Sequence, residues 1–180
     1  MTRIAIPAAE QTPAASLPLL EAVNKQLGIV PNLMKVVGNS PAALEGYLSL
    51  NGALSKGMIG NKTGERIALA VAEFNRCSYC LSAHSYLASN LAKLDADEID
   101  ANRHGGSNDP KAAAAVNFAT QVVAARGHVS DADVVAVKAA GFGNGEIMEI
   151  VLHVALNTLT NYVNEVAKTD VDFPIVSPLG

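Results

Sequence analysis

Two thiols and an imidazole fall within one short stretch of this chain, as Cys77-Ser78-Tyr79-Cys80 followed by His84. The chain has no other cysteine. Steps of three and four place positions 77, 80 and 84 on one face of a helix. Two carboxylates, Glu65 and Glu73, precede them. A C-x-x-C pair in a soluble chain serves few kinds of chemistry. Vicinal thiols can close and open a small disulfide, the attacking thiol being activated by a helix N-terminus or a nearby base. Half of a zinc site is a second use, but it normally needs another Cys or His pair at matching spacing. His104, His128 and His153 supply no such pair, which leaves Cys77, Cys80, His84 and one glutamate as the zinc arrangement to weigh. The plain alternative is two buried cysteines packed as small apolar side chains. The imidazole on the same face favours redox chemistry over both.

The elements that must position these groups follow from arithmetic. In one straight helix, Glu65 and His84 would be separated by about 28 Å at 1.5 Å rise per residue, too far for a proton relay. If both serve one site, the helix must break and fold back between them. Asn75-Arg76-Cys77 is the expected break, because Asn tolerates left-handed and capping conformations. Glu65 then lies about as far before the break as His84 lies after it. In an antiparallel helix pair spaced about 8–10 Å, the two side chains can meet directly or through water. The same break puts Cys77 and Cys80 in the first turn of a new helix, where free N–H groups and the dipole favour a thiolate. Glu73 would end the first helix, close to the cysteines, turned away or paired with Arg66 or Arg76; it and Tyr79 are further candidates to line the site. Cys80 is one turn from His84 and Cys77 is two, so Cys80 is the thiol expected to attack.

The combined pattern, Glu65 with Cys77-x-x-Cys80 and His84, resembles the active-site motif of alkylhydroperoxidase D-like (AhpD-like) proteins of the carboxymuconolactone decarboxylase family. Gly28-Ile29-Val30-Pro31-Asn32, the segment from Glu65 to Ala72 and the end from Glu146 to Pro174 resemble its peroxidase-related branch. The likeness implies a peroxidatic Cys80, a resolving Cys77 and a proton relay of His84 and Glu65. It implies a thiol-dependent, antioxidant peroxidase that needs an external dithiol of lipoyl or thioredoxin type and assembles as a homotrimer or homohexamer. It also implies an internally duplicated helical core. The family's best-known members carry a histidine just before the second cysteine, where this chain has Tyr79. A lactone decarboxylase, as elsewhere in the wider family, would not need the cysteines. A non-enzymatic redox sensor would use them once per oxidation.

The rest of the chain agrees with an all-α bundle of antiparallel helical hairpins in one domain of 180 residues. Hydrophobic residues make up 49% and aromatic ones only 4%, so the core must close by tight packing of Ala, Val and Leu. A net charge of −4 without any basic run argues against nucleic acid. The N-terminus lacks the apolar core of a signal peptide, and no apolar run reaches the roughly 18 residues of a membrane span. The expectation is a cytoplasmic protein without metal or cofactor. Residues 1–12 read as a tail. Helices are expected over Ala14–Lys25, after Val30-Pro31-Asn32, from Ser40-Pro41 to about Leu54, and through the motif region 63–88. Others follow from Asp95 to about Arg103 with a capping-box spacing to Glu98, from Pro110 to about Arg126, and from Ser130 to the Gly141-Phe142-Gly143 stop. The last helix, Glu146–Ala167, is apolar nearly all round, which predicts a buried or interface position. His153 within it reads as a core or interface histidine, and Asn157, Asn161 and Asn164 share one face. No period-two strand pattern is present.

Overall fold

The computed structural model describes residues 2–180. Among these, nine α-helices and two 3₁₀ turns occur and no strand. A 3₁₀ turn at Ala14–Ser16 leads into α1 (Leu17–Leu27), which starts later than expected because Pro18 belongs in the first helical turn. Gly28, with φ 74°, ends it. Next come α2 (Asn32–Val37) and α3 (Pro41–Leu54), the latter capped by Ser40 Oγ accepting from Ala43 N. The motif hairpin is α4 (Gly60–Phe74) and α5 (Ser78–Asn90). The second half holds α6 (Ala96–Arg103), α7 (Pro110–Ala124), α8 (Asp131–Ala139) and α9 (Asn144–Ala167).

The helix at the centre is α4, which packs against α5, α6, α7 and α9. Its run Ile67-Ala68-Leu69-Ala70-Val71-Ala72 is buried without a break. Ile67 and Val71 join the core formed with α7, α8 and α9; Ala72 joins the one around the cysteines; Leu69 joins a third with Ala88 and Leu94. Small side chains on α7, among them Ala112, Ala115 and Ala119, let its backbone come close. All-round burial within the chain thus occurs in α4, while the last helix, expected to be buried or at an interface, is buried on one side only. Helix α9 buries Ile147, Ile150, Val154, Leu156 and three asparagines, but leaves Met148, Leu152, Leu159, Tyr162 and Val166 exposed along one stripe.

Long-range partners set several boundaries. α4 begins before Thr63 because Glu149 of α9 accepts from the backbone N–H groups of Met58 and Ile59, at 2.7 and 3.1 Å. Asp95 caps α6 as its spacing to Glu98 suggested, but the Glu98 carboxylate turns inward to Arg66, Asn102, Ser107 and Asn108. The N-terminal segment read as a tail is docked: Arg3 and Ile4 donate to Ala167 O, and a 3₁₀ turn forms at Ala9–Gln11. Met1 lies outside the described residues. The C-terminal segment is an extended strap across α5. Val176 N donates to Ser82 Oγ at 2.9 Å, Arg103 Nη2 donates to Ser177 O at 2.7 Å, and Leu179 N donates to Glu73 Oε1 at 2.7 Å.

Candidate functional site

The break between α4 and α5 falls where the sequence placed it, but its left-handed residue is Arg76 (φ 55°), not Asn75. Arg76 N donates to Glu73 O and Cys77 N to Ala72 O, both at 3.0 Å, the paired bonds that close a helix end. Asn75 stays helical and spends its amide on α9, donating to Asn161 Oδ1 at 2.8 Å. Cys77 is at once the residue that finishes this turn and the N-cap of α5, in extended conformation. Its Sγ accepts from Cys80 N at 3.3 Å.

Cys77 and Cys80 are joined as a disulfide, with Cα atoms 5.3 Å apart. Cys77 is 0% exposed and Cys80 3%. They face differently: Cys80 borders a cavity of about 120 Å³, and Cys77 does not. The cavity lies between α3, α4, α5 and α9, with Glu65 and His84 on its wall. His84 Nδ1 is 2.9 Å from Glu65 Oε2, so the fold-back delivers the pair in direct contact. Glu65 fixes the ring and favours a proton on Nδ1, which turns Nε2 toward acceptor chemistry. With the disulfide closed, His84 makes no hydrogen bond to either sulfur among the described residues. The partner of Cys80 Sγ is instead Asn164, whose Nδ2 donates at 3.3 Å.

Tyr79 borders the cavity, but its hydroxyl is committed elsewhere. It donates to Asp172 Oδ1 at 2.8 Å and accepts from Leu33 N at 3.1 Å, and burial pushes the phenol far above its ordinary range. The ring meets Phe173 of the strap edge-on, centroids 5.9 Å apart. At this position the side chain ties α2 and the strap to α5. Glu73 does not line the cavity. It accepts from Arg103 Nε at 2.8 Å and from the strap, while Arg66, one of its expected partners, pairs with Glu98 at 2.6 Å. This carboxylate is thus ion-paired and lies off the cavity wall.

Among the cavity-wall residues that the sequence did not single out for the site, Tyr47, His153 and Asn164 bear on its chemistry. Burial, and to a lesser degree the charge of Glu65, pushes the Tyr47 phenol up to about 12. His153 borders the cavity, with Nε2 buried and unpaired. Burial lowers its pKa, against the raising effect of Glu149 and Glu65, and favours the neutral ring. Gly64 makes room for it, since a Cβ there would lie 2.9 Å from its Cε1. Asn164 is the third; its shared face with Asn157 and Asn161 was the available signal. No group of three or more His, Cys, Asp or Glu side chains close enough to share a metal occurs among the described residues. No described helix is long and apolar enough to cross a membrane.

The fold and site define a helical protein with a C-x-x-C disulfide at a helix N-terminus, beside a carboxylate–imidazole pair. The sequence profile of the carboxymuconolactone decarboxylase family matches residues 41–121, a span that contains Glu65, Cys77, Cys80 and His84. Over residues 41–121 the chain is thus similar to that family. No curated protein matches it. A peroxidase-related protein from Silicibacter sp. TM1040 superposes with a TM-score of 0.82 at 22% identity, over 94% of this chain and 91% of that one. The alkylhydroperoxidase AhpD core of a peroxidase-related protein from Ralstonia eutropha JMP134 gives 0.82 at 22% identity, over 95% and 92%. A variant of the debrominase Bmp8 in complex with 2,3,4-tribromopyrrole gives 0.78 at 17% identity, over 96% and 92%. These likenesses establish the AhpD-like fold.

Proposed function

We propose that the protein is a thiol-dependent peroxidase. The Cys80 thiolate attacks the O–O bond of a peroxide, ROOH, and with one proton yields Cys80 sulfenic acid and ROH. The Cys77 thiol condenses with the sulfenic acid to the disulfide and releases water. An external dithiol then reduces the disulfide and is itself oxidised. His84, oriented by Glu65, takes the Cys80 proton and returns it to the leaving oxygen. The observation that carries this reading is the direct Glu65–His84 contact on the wall of the same cavity as Cys80, with the resolving Cys77 behind it.

Among the described residues, no lysine or arginine lines the cavity. This favours a small, neutral peroxide over an anionic substrate, and counts against a lactone carrying carboxylates. The same dithiol could deliver two electrons to a carbon–halogen bond, giving Ar–H, halide and disulfide. The ligand of the Bmp8 structure makes that the reading to exclude. The test is peroxide consumption with dithiothreitol as reductant, run in parallel with bromide release from 2,3,4-tribromopyrrole. Multiple turnovers of peroxide, lost in Cys80→Ser, are expected. One stoichiometric oxidation means a sensor, and bromide release without peroxide turnover replaces the proposal.

A further inference from the structure

The two sulfurs compete for the role of nucleophile, and the helix terminus does not favour Cys80. Cys77 is the N-cap, and it is Cys77 Sγ that receives the Cys80 backbone N–H at 3.3 Å. Cys80, one turn into α5, has its own N–H directed at Cys77. Yet Cys80 is the sulfur that reaches the cavity. Something other than the helix terminus must stabilise an anion there. Among the described residues, the Glu65–His84 pair makes no hydrogen bond to the sulfur in the closed disulfide. The group that does is an amide from α9.

We infer that Asn164 is the donor that holds the Cys80 sulfur as its anion and so makes Cys80 the attacking sulfur. This rests on the dithiol reading of the site. Asn164 is 3% exposed, and among the described residues its side chain makes one hydrogen bond, from Nδ2 to Cys80 Sγ at 3.3 Å. Its Oδ1 is buried and unpaired, so no other interaction of the fold accounts for an amide at this place. A buried amide left half satisfied is costly, and such groups are retained where they serve a further purpose. The next helical turn supports its position. Asn161 accepts from Asn75 Nδ2 at 2.8 Å, which pins α9 to the residue just before the α4–α5 turn. One helix face therefore fixes both the turn that presents the C-x-x-C pair and the sulfur at its far end. The titratable groups around the Cys80 side of the cavity are Tyr47 on α3, Glu65 on α4, Tyr79 and His84 on α5, and His153 on α9. Glu65 and His84 are paired to each other and Tyr79 to Asp172, and among the described residues none of these groups hydrogen-bonds to the Cys80 sulfur.

In the Cys77→Ser background Cys80 is the only thiol of the full-length chain, so its ionisation is read directly from thiolate absorbance against pH. Asn164→Ala should raise the midpoint by about one unit or more, as loss of a hydrogen bond to a charged group implies. Alkylation by iodoacetamide below that midpoint should slow about tenfold. Asn164→Asp keeps the size of the side chain and replaces the donor by a carboxylate, so its shift should be larger. Circular dichroism establishes that each variant is folded; should Asn164→Ala not fold, Asn164→Asp alone decides. A folded variant that titrates like its Cys77→Ser parent overturns the assignment. Neither readout uses peroxide. If the midpoint moves but no variant of the site turns peroxide over, the inference stands and the peroxidase proposal falls.

Discussion

Replacing Tyr79 by Phe separates a structural tyrosine from a catalytic one. The substitution keeps the ring, and with it the packing against Phe173, and removes only the hydroxyl. Two bonds go with it: the donation to Asp172 at 2.8 Å and the acceptance from Leu33 N at 3.1 Å. Asp172 retains the backbone N–H of Asn32 at 2.8 Å, so its carboxylate is not orphaned. Leu33 N, on a buried residue, loses its partner. A hydrogen bond to a charged group contributes about 1.5–3 kcal/mol and an unpaired buried amide costs about 1–3 kcal/mol, so the loss should be about 3 kcal/mol. For a chain of this size that is roughly 10 °C in Tm, since each kcal/mol is worth about 2–4 °C. Thermal melts of the oxidised protein at neutral pH, followed by circular dichroism, measure it. Peroxide turnover at 25 °C should stay within about twofold. A Tm drop below about 3 °C, or a large fall in kcat at unchanged Tm, would show that the hydroxyl acts in the chemistry and that the strap is held by other contacts. The pH dependence provides a second check. The folded phenol sits above its unfolded value near 10, so the stability it contributes is complete below pH 10 and is lost as the pH rises above it. Tyr79→Phe should therefore flatten the alkaline limb of the stability curve.

Other outcomes follow from the same geometry. Glu65→Gln should slow sulfenic acid formation at Cys80 by about 10²-fold, measured by stopped-flow, because the imidazole loses the charge that orients it. Unchanged kinetics would remove the pair from the mechanism. Cys77→Ser should still form a dimedone-trapped sulfenic acid at Cys80 but lose turnover, whereas rapid labelling at Cys77 in Cys80→Ser would reverse the assignment. Burial alone pushes Glu98 up, but the hydrogen bonds from Ser107, Asn108, Asn102 and Arg66 outweigh it and hold the carboxyl down at about 2. The stability it contributes is thus complete above its ordinary pKa near 4.5 and is lost as the pH falls from there. Glu98→Gln should reduce stability at neutral pH and weaken its acid dependence, read from urea unfolding at several pH values. The exposed stripe of α9 is expected to bury itself in a homotrimer or homohexamer; Leu159→Glu should then dissociate the assembly in sedimentation, and a monomeric wild-type protein would refute it.

The sequence shows most clearly what spacing along one helix can encode. The α4–α5 break was legible because Glu65 and His84 could not otherwise belong to one site, and Asn75-Arg76 offered the turn. Ser40-Pro41 and Ser130 with Asp133 announced their helices because a cap satisfies its own neighbours. What was not legible depended on partners far along the chain. Asn75 looked like the left-handed residue, yet its amide bonds to Asn161 and Arg76 takes the turn instead. Glu73, near the cysteines in sequence, read either as lining the site or as turned away and paired with Arg66 or Arg76; it is paired, but with other partners. Arg103 and the backbone of Leu179 hold it, and neither is local. The early start of α4 depends on a carboxylate from α9 in the same way.

The choice between the two thiols shows the limit most sharply. Local reasoning gave each cysteine one advantage: Cys77 the helix terminus, Cys80 the turn that separates it from His84. The fold gives Cys77 the terminal N–H and full burial, and gives Cys80 the cavity and the amide of Asn164. A thiol that no substrate reaches gains nothing from a lowered pKa as a nucleophile, but it can still attack a sulfenic acid next to it. Under the peroxidase proposal, access would leave resolution to Cys77. It leaves Cys80 needing a donor that the helix terminus has already given away, and the structure places one on α9.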